Sequence, residues 1–101
     1  PRGVSDKRTC AELRAYIFDA YGLYFLRRGK ATASLVYVQK AVKTHAHLKD
    51  WAHVAKCHLH SGVVLSRLNR HDEALRCLGQ VLVMVEKGQL DVGGSSPQKL
   101  C

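Results

Sequence analysis

Six histidines and four cysteines are the side chains of this 101-residue chain best suited to chemistry, and their densest grouping is His53, Cys57 and His60. The i, i+4, i+7 spacing sets the three on one face of a helix, with His45 and His47 close by in sequence. Imidazole and thiolate are donors that zinc favours. A zinc site, however, needs three or four convergent ligands backed by outer partners, and one helix cannot close a tetrahedron. Cys57 also falls where a thiol can pack as a small apolar side chain. No metal and no cofactor is therefore expected. Cys57 and His58 are adjacent, so in a helix they point about 100° apart, a poor arrangement for a nucleophile and its base. The chain has no Gly-rich phosphate loop, no H-E-x-x-H and no nucleophile elbow, and Gly93-Gly94-Ser95-Ser96 does not lie between a strand and a helix. No catalytic residue is expected, and no enzyme.

The elements that must position these groups are read from a repeat. Residues 15–42 and 55–82 align at an offset of forty: Ala15/Ala55, Gly22/Gly62, Arg27/Arg67 and Leu35/Leu75 are identical, and Leu23/Val63, Phe25/Leu65, Lys30/Arg70 and Val42/Leu82 keep their character. That period suits a two-helix unit. Thr9-Cys10-Ala11-Glu12 reads as a capping box that opens a first helix over residues 10–28, ended by a left-handed Gly29. A second helix, 31–47, carries Leu35, Val38, Ala41 and Val42 as one buried stripe. Asp50 is an N-cap for a third, 51–68, which Asn69 closes in the left-handed conformation. Asp72 and Glu73 fall in the first turn of a fourth, 71–87, where carboxylates oppose the positive end of the helix dipole. Short turns make consecutive helices antiparallel. The expected organisation is an N-terminal extension (1–9), one all-α domain (10–87) of two hairpins (10–47 and 50–87), and a flexible tail (88–101) whose Gly, Ser and Pro content cannot bury apolar surface.

Composition bounds the partners. A chain 47% hydrophobic can bury one modest core. Asp19 interrupts its most apolar stretch, 17–26, so neither a membrane span nor a signal peptide is expected. The chain opens at Pro1 without an initiator Met, which suggests a fragment or a processed product. Four cysteines without C-x-x-C spacing point to free thiols in a reducing, intracellular setting, cytoplasmic or cytoskeletal, with an organelle as the alternative. The net charge of +8 favours acidic partners or polyanions.

At this point the residues resemble a known family. An apolar or aromatic residue, a Gly one position on, a large apolar residue three further, a Gly or Asn at the turn, then two small residues seven apart, is the pattern of the tetratricopeptide repeat. Here those places are Tyr21, Gly22, Phe25, Gly29, Ser34 and Ala41, then Ser61, Gly62, Leu65, Asn69, Ala74 and Val81. Ser61 stands where a Leu is usual, and Glu86 where a Pro commonly ends the unit. The forty-residue length and the exit segment His47-Leu48-Lys49-Asp50 are similar to the longer repeats of kinesin light chains and the Leu-Gly-Asn-repeat spindle-orientation proteins. The resemblance implies hairpins stacked as an α-α superhelix and recognition without chemistry, a peptide or helix being held in a concave groove lined by the first helix of each pair. The groove positions it implies are Tyr16, Asp19, Leu23, Leu26 and Arg27, then Lys56, Leu59, Val63, Ser66 and Arg67. Helical spacing alone puts Lys56, Leu59, Val63 and Arg67 on one face, and an apolar floor edged by Arg27, Lys56 and Arg67 suits an acidic or amphipathic segment. Leu23 and Val63 stand where a carboxylate clamp for chaperone C-termini needs asparagines, which argues against that use.

Two further features concern partners. Arg27-Arg28-Gly29-Lys30, with Arg67 and Arg70, can form a basic ridge at the hairpin turns, which makes association with RNA or a ribosome the alternative to protein binding. The fourth helix is apolar on every side through Val81-Leu82-Val83-Met84-Val85, and two hairpins fall short of the three that such arrays usually need. Val81, Val83, Met84 and Val85 are therefore expected to pack against a further repeat or another subunit of a larger complex.

Overall fold

Three-residue connections, each with one left-handed residue, divide the chain into helices. The computed structural model describes residues 4–90, which form α1 (Val4–Arg27), α2 (Ala31–His47), α3 (Trp51–Arg67) and α4 (His71–Glu86), with no strand among them. The chain is all-α. Every helix ends on the same pair of hydrogen bonds. After α1, Lys30 N–H donates to the Phe25 carbonyl and Gly29 N–H to that of Leu26; Asp50 and Lys49, Arg70 and Asn69, and Gln89 and Gly88 repeat the pair after α2, α3 and α4. This Schellman arrangement requires a left-handed residue just past the helix. Gly29, Asn69 and Gly88 supply it, and Lys49 adopts it at φ 58° despite the Cβ penalty. Asp50 caps α3 as expected, accepting a hydrogen bond from the His53 amide.

One boundary is corrected. Helix α1 begins at Val4, so Thr9 and Glu12 lie inside it and do not open it. The spacing of a capping box also occurs within any helix, and here Glu12 pairs with Arg8 one turn earlier at 3.4 Å while Asp6 occupies the first turn. At the other end, Leu90 packs against Val54, Ala55 and Met84, so ordered packing extends past residue 88; residues 91–101 of the expected tail lie outside the described ones.

Extensive packing joins each helix to its neighbour in sequence: α1 to α2, α2 to α3 and α3 to α4. The hairpins α1–α2 and α3–α4 thus stack through α2 and α3, a helical-repeat arrangement. Three small clusters run along that seam. Leu35 meets Val64, Leu65 and Ala74 beside the first and third turns; Val38 and Ala41 meet Cys57 midway; Val54 and Ala55 meet Met84 near the second turn. Aromatic side chains of α1 gather on α2, with Phe18, Tyr21 and Phe25 all around Tyr37 at centroid distances of 5.1–6.3 Å.

Close approach within each hairpin needs the expected small residues. The fully buried Ser34 hydroxyl donates to the Gly22 carbonyl at 2.6 Å. A Cβ on Gly22 would stand 2.8 Å from Cγ2 of Val38, a buried β-branched side chain with little freedom to yield. A Cβ on Gly62 would meet the end of Leu78 at 3.3 Å, and Leu78 is exposed enough to move. The two equivalent glycines should therefore respond oppositely in urea unfolding. Gly22→Ala is expected to destabilise by about 1–3 kcal/mol through overpacking, whereas Gly62→Ala should stabilise by up to about 1 kcal/mol, the helix-propensity gain.

Candidate functional site

The one acidic residue in the apolar stretch of α1, Asp19, needs partners, and it finds them on two other helices. Its Oδ2 accepts from Nε2 of His45 on α2 at 2.8 Å, and its Oδ1 accepts from the Cys57 thiol of α3 at 3.3 Å. Helices α1, α2 and α3 therefore meet at one carboxylate, which spans both hairpins. His45 is 5% exposed and its Nδ1 is buried without a hydrogen-bond partner. Its ring stacks on that of His53 at 4.7 Å, with 13° between the planes. Asp50 fixes His53 in turn, accepting from its amide at 3.3 Å and from ring Nδ1 at 2.7 Å.

Burial pushes the Cys57 thiol up to about 12, and the neighbouring Asp19 charge and hydrogen bond act in the same direction. Such a thiol stays protonated at neutral pH, and its hydrogen-bond partner is a carboxylate, so it is not poised as a nucleophile. As donors the groups are well gathered. Ligand atoms of Asp19, His45 and Cys57 lie within 4.8 Å of one another, as do those of His45, Asp50 and His53. The sequence grouping of His53, Cys57 and His60 took one helix at a time. The structure instead draws Asp19 and His45 to Cys57 from 38 and 12 residues away along the chain.

Beside this joint lies a cleft of about 290 Å³, lined by Tyr16, Asp19, Ala20 and Leu23 of α1 and His53, Lys56, Cys57 and His60 of α3. Four of the ten groove positions, Tyr16, Asp19, Leu23 and Lys56, thus line one cavity. Leu59 and Val63 are exposed on α3 beyond that lining. Arg27, Ser66 and Arg67 are exposed at the ends of α1 and α3, and Leu26 is half-buried against the Leu35 cluster. Asp19 is turned to its two hydrogen-bond partners, and Lys56, the cationic lining residue, forms no ion pair among the described residues.

The expectation for α4 is corrected at Met84. This side chain is 6% exposed and packs on Val54 and Ala55 of the same chain, with Val81 against the same cluster. A helix apolar on every side still turns one stripe to its own hairpin, and α3 takes the Met84 side. Leu75 and Leu82, each 66% exposed, face outward, and Leu78, beside Gly62, and Val83 are exposed in part. Along the basic ridge, Arg70 is held by Glu73 through two bonds of 2.6 and 2.8 Å, and Arg28 lies over the Tyr24 ring at 5.7 Å.

Among the described residues no helix is long and apolar enough to cross a membrane. Comparison with protein-family models, with curated proteins and with solved structures returned no match.

The titration of Cys57 has a consequence for stability. Its pKa is raised on folding from 9.0 to about 12, so between those values the unfolded chain binds fewer protons than the folded one and stability falls as pH rises. Urea midpoints should decline from about pH 9 upward, less steeply in Cys57→Ala than in the wild type, referenced to each protein at pH 7. In metal-free buffer at pH 8, exposed Cys10 should be alkylated first and Cys57 only on unfolding, as read by mass spectrometry.

Proposed function

We propose that this chain is a non-catalytic binding scaffold of the tetratricopeptide type, which holds an acidic or amphipathic segment of a protein partner in the cleft between α1 and α3. The observation that carries this reading is the chemistry of the cleft. Tyr16 and Leu23, 70% and 40% exposed, offer apolar area, and Lys56 and His60 offer cationic or hydrogen-bonding edges. Exposed Leu59 and Val63 extend the apolar surface along α3. Large side chains on a concave wall with a few polar groups are what a peptide-binding groove requires. The same stacking leaves Leu75 and Leu82 of α4 largely uncovered by the described residues, which supports membership of a larger assembly. Free thiols at Cys10, Cys57 and Cys77 suit a reducing compartment.

A basic surface also attracts RNA, but Arg70 is held by Glu73, Arg28 lies over the Tyr24 ring, and Phe18, Tyr21 and Phe25 pack around Tyr37, which ties up part of the basic and aromatic surface near the first and third turns. The test is selection of helical peptides from a phage-displayed random library on the immobilised chain, with fluorescent polyuridylate as the RNA probe. Peptides rich in Asp, Glu and Leu should be enriched, and Leu23→Asp or Lys56→Glu should weaken them about tenfold or more, the roughly 1.4 kcal/mol of one lost contact. Failure to enrich any peptide, together with salt-sensitive binding of polyuridylate, would move RNA to first place.

A further inference from the structure

We propose that Asp19, His45 and Cys57 form a three-ligand binding site for Zn²⁺ that ties the two hairpins together. Their donor atoms already lie within 4.8 Å of one another. Zinc bonds of about 2.0–2.3 Å put the ligand atoms of a tetrahedron about 3.3–3.8 Å apart, so the set needs movements of only about an ångström. One carboxylate oxygen, one imidazole nitrogen and one sulfur is a borderline-soft set that suits zinc over calcium or magnesium, which take oxygen alone.

Nε2 of His45 and the Cys57 thiol both point to the Asp19 carboxylate, at 2.8 and 3.3 Å, so the three donors from three helices already face one point. The fourth position of a tetrahedron is left to water from the cleft that Asp19 and Cys57 line. His53, held by Asp50 at 2.7 Å, stacks face to face on His45 and braces that ring from outside the donor set.

Binding replaces the hydrogen bond from the Cys57 thiol to Asp19 with a sulfur–zinc bond, and the thiol proton leaves to solvent. Because the ligands come from α1, α2 and α3, the ion cross-links the first hairpin to the second. It should therefore raise the unfolding temperature by mass action. This property is independent of the peptide-binding reading and can fail without it.

The experiment is a titration of the chelator-stripped 101-residue chain with Co²⁺, followed by displacement with Zn²⁺. One equivalent of Co²⁺ is expected to give the sulfur-to-cobalt charge-transfer band and strong visible bands of a tetrahedral site, and Zn²⁺ should bleach both. A variant with Cys10, Cys77 and Cys101 all replaced by Ser should keep the spectrum, whereas Cys57→Ser should lose it. His45→Gln and Asp19→Ala, each of which removes one ligand, should weaken Zn²⁺ by more than about tenfold. Absence of a charge-transfer band in the wild type overturns the proposal, as does a band that survives Cys57→Ser. The wild-type titration decides even where a variant fails to fold.

Discussion

The two hairpins are held by one seam, α2 against α3, and that seam is built from small side chains. No residue larger than Val64 is fully enclosed among those described. Full burial of a Val or Leu contributes about 1.5–3 kcal/mol, against about 1–2 kcal/mol for ordering each residue's backbone. Three clusters of three or four such residues leave a narrow margin. The structure meets this constraint by bringing helices close. Gly22 admits Val38, Ser34 is fully enclosed and ties its hydroxyl to the Gly22 carbonyl, and Ala15 and Ala41 lie wholly inside. Dispersion contacts fall off steeply with distance, so close approach of small residues recovers part of what bulk would otherwise supply.

Much of this arrangement was legible in the sequence because the turns carry their own chemistry. Gly29 and Asn69 are left-handed where their residue types permit it, and Asp50 caps α3. Lys49 takes the same conformation without any preference for it; the packing of the helices on either side imposes it, and no local pattern announces that. The start of α1 at Val4 is hidden for a related reason. Thr9 and Glu12 have the spacing of a cap, but a helix continues past such a pair when the residues before it, including Asp6 and the Arg8 partner of Glu12, sustain it. The burial of Met84 on Val54 and Ala55 is not visible in the sequence, because a helix apolar all round conceals which stripe its own hairpin claims.

The site was legible only along single helices. His53, Cys57 and His60 share a face of α3, and that was visible from spacing. Asp19 and His45 join them from α1 and α2, which requires the hairpin geometry. The signal was present in Asp19 itself: a carboxylate in the middle of an apolar stretch must find donors or remain in solvent. The sequence therefore showed that a partner was needed, and only the stacked helices show which groups supply it.

The joint also breaks the symmetry of the repeat. At the forty-residue offset the counterparts of Asp19 and His45 are Leu59 and Val85, and that of Cys57 is Ile17. The second hairpin therefore has no polar set equivalent to the one that joins it to the first, and its corresponding surface is apolar and, at Leu59, exposed. A buried polar contact that is satisfied in one register and orphaned in every other discriminates among registers more than it stabilises any of them. Stripes of Val, Leu and Ala can slide by a helical turn at modest cost. Asp19, bonded at both oxygens to groups on two further helices, cannot. The apolar clusters thus hold the hairpins together, and the Asp19 carboxylate determines the one alignment in which they meet, which in turn sets the width of the cleft between α1 and α3.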